Sequence, residues 1–192
     1  MLIIMNTLII MIMKSIKYLF SLLISLFVIN SGLLAQQIPY QTFAKDGFKV
    51  KCDCKLYVNS LHIQMSKQQG INNIVNSFVC AENENNPDIV VIFNITISDV
   101  SELYKNLPSS YALAEKSYFE QYASNLRSYG ATSLSNTTFQ GLSALEYTYD
   151  QMGVQTKAII FVKDKKSYML QVATRRNLTT KYNALKSSFA FL

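Results

Sequence analysis

The residues of this sequence with the most chemistry to offer are three cysteines and its single histidine: Cys52, Cys54, His62 and Cys80. Three thiolates and an imidazole suffice for a tetrahedral zinc site. However, Cys52-Asp53-Cys54 lacks the two-to-four-residue gap of the usual zinc hairpin, and His62 lies in a segment without clear periodicity. A disulfide is the stronger reading. Cys52 and Cys54 project from one face of an extended stretch, where a mutual bond would strain the backbone, whereas Cys80 on a neighbouring strand can reach either of them. The alternatives are Cys52–Cys80 and Cys54–Cys80. The second closes a loop of 26 residues, which the chain-entropy model puts at roughly 3 kcal/mol. Either leaves one thiol over, as expected of a cysteine that is buried, paired between molecules or reactive.

Catalytic groups are otherwise scarce. One histidine leaves few options for a histidine-based triad, and no serine stands in Gly-x-Ser-x-Gly. There is no Gly-x-Gly-x-x-Gly and no phosphate-binding loop. Glu146 and Asp150 lie four apart on one strand face, about 13 Å by strand rise, which is too far for a retaining glycosidase pair. Asp46, Asp53, Glu82 and Glu84 lack the spacing of a calcium loop. No catalytic residue and no cofactor are therefore assigned. What remains is aromatic. Tyr147 and Tyr149 share one strand face and form a candidate binding face. Tyr111, Tyr118, Tyr122 and Tyr129 lie along one helical stripe, where such residues are more often core than ligand platform.

The elements that must position these residues are read from periodicity. Residues 143–150, 154–163 and 167–175 alternate as three strands joined by Met152-Gly153 and by Lys163-Asp164-Lys165-Lys166. The second carries Ala158, Ile160 and Val162 on one face and Ile159 and Phe161 on the other, the pattern of a central strand covered twice. A helix over residues 179–188 follows, capped by Thr179 or Thr180, with Leu178, Tyr182, Leu185 and Phe189 as its apolar stripe. Upstream, residues 47–57 alternate Phe48, Val50, Cys52, Cys54 and Leu56 against Lys49, Lys51, Asp53 and Lys55. That predicts a half-buried strand whose lysines protect a sheet edge. Residues 72–81 and 88–97 predict a hairpin, and the second of its strands is apolar on both faces. Residues 111–129 predict the longest helix, after the stop and cap signals of Leu107-Pro108-Ser109-Ser110 and before Gly130. Residues 59–69 are ambiguous.

The order helix, Gly141-Leu142-Ser143-Ala144-Leu145, hairpin, strand ending in Arg175-Arg176, and helix finishing in Lys186-Ser187-Ser188-Phe189 resembles the PsbP-like family. That family includes photosystem extrinsic subunits, a Ran-binding nucleotide-release factor and bacterial envelope proteins. The resemblance covers residues 47–192 and is best from Tyr118 onward. It implies an α+β fold, an antiparallel β-sheet of about six strands packed between helices, and a role in binding rather than catalysis. It carries over no active-site residue.

The start of the chain gives an address. Met13-Lys14-Ser15-Ile16-Lys17 is a basic lead, residues 18–29 are apolar, and Asn30-Ser31-Gly32-Leu33-Leu34-Ala35 ends the run with small residues. This is the pattern of a secretory signal peptide over residues 1–35, with translation starting at Met1 or at Met13, and the apolar run is shorter than a membrane span requires. Residues 36–46 form a lead-in and residues 47–192 a single domain. Loss of Lys14 and Lys17 lowers the net charge from +6 to +4. The remaining basic residues are scattered rather than clustered with stacking aromatics, which argues against a nucleic-acid partner.

The expectation is a secreted or periplasmic, non-enzymatic binding or accessory protein with a protein partner in the cell envelope, touching the membrane only through its signal sequence. The alternative is a small-molecule or metal carrier, or a hydrolase with an unrecognised site. The two classes differ at Tyr147 and Tyr149: a concave pocket with titratable groups favours the carrier, a flat apolar patch the protein partner. Mass spectrometry of the exported protein should find the first residue at or within a few positions of Gln36. Retained Met1 or Met13 on membrane-bound material would establish an uncleaved anchor instead. The cysteines give a second expected outcome: one free thiol per chain under denaturing, non-reducing conditions, and no stoichiometric metal. Three thiols after chelation, with about one zinc or copper per chain, would establish the metal site.

Overall fold

A computed structural model describes residues 38–105 and 111–192, and from Pro39 onward these form one unit, Pro39–Leu192. The expected signal peptide and the segment Leu107-Pro108-Ser109-Ser110 lie outside the described residues. The elements are β1 (Gln41–Phe43), β2 (Phe48–Val50), β3 (Tyr57–Val58), α1 (Ser60–Gln68), β4 (Ile74–Glu82), β5 (Val91–Asp99), α2 (Ser101–Lys105) and α3 (Tyr111–Ser128). They continue as β6 (Ala131–Phe139), β7 (Leu142–Gln151), β8 (Val154–Lys163), β9 (Lys166–Thr174), α4 (Leu178–Ser188) and β10 (Ala190–Phe191). The fold is α+β. Seven strands form one antiparallel sheet in the order β3-β4-β5-β9-β8-β7-β6, and β1-β2-β10 form a small second sheet.

The hairpins that build the large sheet are set by local backbone chemistry. Gln140-Gly141, Met152-Gly153 and Asp164-Lys165 each place two consecutive residues at positive φ, the conformation whose twist matches the flanking strands. Gly141 supplies the left-handed position between β6 and β7 with φ +79°, but Gly70 after α1 has φ +82° and equally open surroundings. Backbone strain alone therefore does not single out Gly141 as the more sensitive of the two.

Strand β8 is buried on both faces. Ile159 and Phe161 face a core shared with β4, β5 and β9, with the small sheet and with Tyr182, Leu185 and Phe189 of the C-terminal segment. Ala158, Ile160 and Val162 face the opposite core, closed by Phe119 and Ala123 of α3. Phe189 is the hub of the first core: its ring centroid lies 5.3 Å from Phe48, 5.6 Å from Phe161 and 5.3 Å from Phe191.

Several expectations need correcting. Residues 47–57 are not one strand: β2 stops at Val50 and β3 begins at Tyr57. The inward alternation survives, since Phe48, Val50, Cys52 and Leu56 are all buried. Between the two strands, the Gln41 side chain supplies part of the missing pairing. It donates to the Cys54 carbonyl at 2.8 Å and accepts from the Leu56 amide at 2.8 Å. The lysine-bearing strand does not guard an edge, because β2 is the middle strand of the small sheet. The ambiguous stretch is α1, whose N-cap Asn59 accepts from the His62 amide at 3.0 Å. Strand β6, the outer strand beyond β7, escaped notice because its Ser, Thr and Asn residues carry little apolar alternation. Helix α4 starts after Asn177, at φ 58° and without a side-chain cap bond, rather than at Thr179 or Thr180.

Helix α4 is pinned to the sheet by Glu146 on β7. Its carboxylate receives Lys157 at 2.8 Å, Lys186 at 2.7 Å and the Tyr182 hydroxyl at 2.8 Å. Burial works against the charge, but the two ammonium groups and the phenol prevail and hold the Glu146 carboxyl at about 2. A depressed folded-state value means stability that is fully present above the unfolded carboxyl range, near 4.3, and is lost as pH falls through about 2. Glu146→Gln should lower unfolding stability at pH 7 by about 2 kcal/mol, the scale of hydrogen bonds to charged groups. In paired urea titrations the gap between wild type and variant should shrink steadily from pH 5 towards pH 2. Identical midpoints at pH 7, or a gap unchanged at pH 2, would contradict this role.

Candidate functional site

The structure divides the Cys/His set. Cys54 and Cys80 form a disulfide with Cα atoms 5.8 Å apart, and Cys52 is free and buried. Burial, reinforced by the nearby charges of Asp53 and Glu82, pushes the Cys52 thiol up to about 12, so it stays protonated and a weak nucleophile. His62 lies elsewhere, with Nδ1 2.9 Å from the Ser77 hydroxyl. Ser77 and Cys80 are three apart on β4 and so point to opposite faces of the sheet, which separates the imidazole from the sulfurs. Among the described residues no group of three or more metal-ligating side chains converges.

Beside the disulfide, Lys181 of α4 bridges Asp53 at 2.6 Å and Glu82 at 2.7 Å. Lys181 holds the more exposed Asp53 carboxyl below its usual range, while burial pushes Glu82 up. The cluster ties α4 to the Cys52–Cys54 segment and to β4, next to the covalent link between the same two pieces.

The aromatic residues come together. Strand alternation on β7 sends Leu145, Tyr147 and Tyr149 to the α3 face, and the helical period of α3 brings Tyr118, Tyr122 and Leu126 down onto them. From β9, Met169 and Gln171 reach the same face. The Tyr147 hydroxyl donates to Met169 Sδ at 3.2 Å, the Tyr122 hydroxyl approaches the same sulfur at 3.6 Å, and Gln171 Nε2 donates to the Tyr149 hydroxyl at 3.1 Å. Tyr147 and Tyr149 lie side by side with rings nearly parallel, 15° apart at 6.4 Å, and Tyr122 is tilted 53° to Tyr147 at 6.1 Å. Together they make the floor and one wall of a cleft of about 440 Å³, with Tyr129, Asp150 and Gln151 at its lining.

Tyr147 is 3% exposed, whereas Tyr129 is 85% exposed. Burial pushes the Tyr147 phenol well above its ordinary value, with Tyr122 adding to the shift, and burial raises Tyr122 as well. These rings are thus neutral hydrogen-bonding groups throughout the physiological range. The lining includes no histidine, cysteine, serine, lysine or arginine, and its one acidic residue, Asp150, follows Tyr149 on β7 and so turns its carboxylate to the opposite face, where it accepts from the Gly153 amide at 2.9 Å. The lining can bind by stacking, by thioether contact and by hydrogen bonding. A second cavity of about 470 Å³, along the other flank of α3, is fringed by Glu115, Lys116, Glu120 and Arg127, charges of both signs.

Sequence reasoning placed Tyr147 and Tyr149 on one face and the α3 tyrosines on one stripe. It did not bring the two sets together, and it passed over Met169 and Gln171. Their signal was weak: one thioether and one amide on the second face of a strand whose first face is plainly apolar.

No family model matches this chain, and no curated protein matches it. Among solved structures it is similar to the cyanobacterial PsbP protein of Synechocystis. That pair is 11% identical over 80% of this chain and 92% of the other, with a TM-score of 0.43. It is also similar to a protein of unknown function from Pseudomonas aeruginosa, at 10% identity over 76% of this chain and 88% of that one, with a TM-score of 0.40. The first of these belongs to the family that the sequence resembles; at such scores neither neighbour bears on what this chain binds.

Proposed function

We propose that this chain is an exported, non-catalytic binding protein that holds a small organic molecule in the cleft between α3 and the β7–β9 face of the sheet. The observation that carries the reading is the convergence of Tyr122, Tyr147 and Tyr149 with Met169 and Gln171 on a concave space of about 440 Å³ rather than on a flat patch. That volume falls within the usual range of small-ligand sites, where aromatic side chains and a few fixed polar groups recur in the lining. Export is supported by the basic, apolar and small-residue succession over residues 13–35. The Cys54–Cys80 bond is compatible with an oxidising compartment outside the cytoplasm. No helix among the described residues is long and apolar enough to cross a membrane.

A second reading, a protein partner in the cell envelope, draws on a different surface. Tyr57 on the outermost strand β3, Leu61 and Met65 one turn apart on α1, and Val75 on β4 are exposed apolar side chains at that end of the sheet, the kind of residue that interaction sites draw on.

A fragment screen read by amide and side-chain chemical shifts separates the two. Shifts should concentrate on Tyr149, Asp150, Gln171 and the C-terminal half of α3, and Tyr149→Leu should weaken the hits at least fivefold. Hits confined to β3 and α1 would transfer the function to that edge. A screen with no hit in the cleft would remove the small-molecule reading.

A further inference from the structure

The large sheet guards one of its edges and not the other. Exposed strand edges are commonly blunted by shortness, by charged side chains or by proline. At one end of the strand order β3 is only two residues long. At the other end β6 runs over nine residues, Ala131–Phe139. Between Arg127 and Glu146 the chain has no aspartate, glutamate, lysine, arginine or proline. The one irregularity in the pairing of β6 lies at its start, between Ala131 and Ser133, and from Ser133 to Phe139 the register is unbroken.

That register decides which backbone groups are left over. Phe139 and Leu142 are cross-strand partners on either side of the two-residue turn Gln140-Gly141, so they bond to each other. Bonded and unbonded pairs alternate along an antiparallel ladder. Ser133, Ser135, Thr137 and Phe139 therefore bond β7, while Leu134, Asn136 and Thr138 turn N–H and C=O outward. Asn136, the middle one of these three, is exposed.

We propose that β6 pairs antiparallel with β6 of a second copy of this chain, about a two-fold axis at Asn136. In that register Asn136 meets its own copy and Leu134 meets the partner's Thr138, so every outward N–H and C=O of the three finds a partner. The surface suits a copy of itself. An uncharged strand does not repel its twin, and amide and hydroxyl side chains both donate and accept. The charges of α3 fit the same axis. The helix enters β6 through Tyr129-Gly130 and so runs back along it, with Arg127 beside the start of the strand and Glu115 beside its end, both bordering the cavity of about 470 Å³. A two-fold axis sets the Arg127 end of each copy against the Glu115 end of the other. Among the described residues Arg127 has no carboxylate partner within its own chain, whereas Lys116 is already engaged by Glu120 at 3.9 Å.

Sedimentation velocity on the full exported chain, carried up to about 1 mM to reach weak association, should show monomer giving way to dimer and no larger species. Over the same range the amides of Leu134, Asn136 and Thr138 should pass from free exchange with solvent to protection. Asn136→Lys and Asn136→Asp should each weaken the dimer about fivefold or more, because like charges then face each other across the axis. An equimolar mixture of the two variants should restore it. A monomer at every concentration, with these amides unprotected, would overturn the pairing and leave the edge to a strand of another protein. A dimer indifferent to both substitutions, or folded variants whose mixture stays monomeric, would overturn it equally. Amide exchange on the unaltered chain decides the matter if a variant does not fold.

Discussion

A strand that is apolar on both faces has to be covered twice, and β8 imposes that requirement on the whole chain. With Ile159 and Phe161 on one side and Ala158, Ile160 and Val162 on the other, all buried, it can sit only inside a sheet with a layer on each face. The two layers are not equivalent. One is sealed by α4, by Phe189 and by the small sheet, around an aromatic cluster that runs from Phe43 to Phe191. The other is closed by α3 over β7 and β8, with Val100, Leu103 and Tyr104 beside it, while α1 rests on β4 near the far edge. A helix spans about 10 Å with its side chains, so α3 by itself cannot cover seven strands spaced about 4.8 Å apart, and α1 reaches only the β4 end of the sheet.

The consequence is a boundary on the α3 face. Beneath the helix the sheet is apolar. Across β5 and β4 the same face turns polar, where the Ser77 hydroxyl contacts His62 and Asn94, and Thr96 donates to Asn94. Asn94 is the cross-strand partner of Gln171, so the line between the two regimes runs along β9. The cleft lies on that line. This explains its composition, with aromatic rings from the apolar side and amide groups from the polar side, and it explains why a thioether stands where the phenol hydroxyls need a partner.

Charge is managed in the opposite way on the other face. There Glu146 takes Lys157 and Lys186 together with Tyr182, and Lys181 is shared by Asp53 and Glu82. Both clusters bind α4 to strands distant in sequence, and the second sits beside the disulfide that joins the Cys52–Cys54 segment to β4. Partly buried pairs of this kind lose stability sharply when one partner is removed, because the other charge is left without compensation. The α4 face is therefore built for rigidity. Over the cleft, the α3 face presents tyrosine rings, a thioether and amides instead.

What the sequence determines by itself follows from short-range physics. Alternation over residues 143–175 and the period-3.6 stripes of α3 and α4 were legible because each is set by neighbours two to four positions away. So were the turn at Met152-Gly153 and the inward set Phe48, Val50, Cys52 and Leu56. The α+β class followed from their order. The tertiary structure alone decided what depends on partners far along the chain: that the extended run after Gly47 divides between two sheets, and that β6 completes the large one despite its polar composition. It alone placed His62 across the sheet from the cysteines, and gathered Tyr122 and Tyr147 around the Met169 sulfur. Strand faces are fixed by the chain itself, but which faces meet is fixed by pairing order, and a cleft exists only where two such faces fail to close.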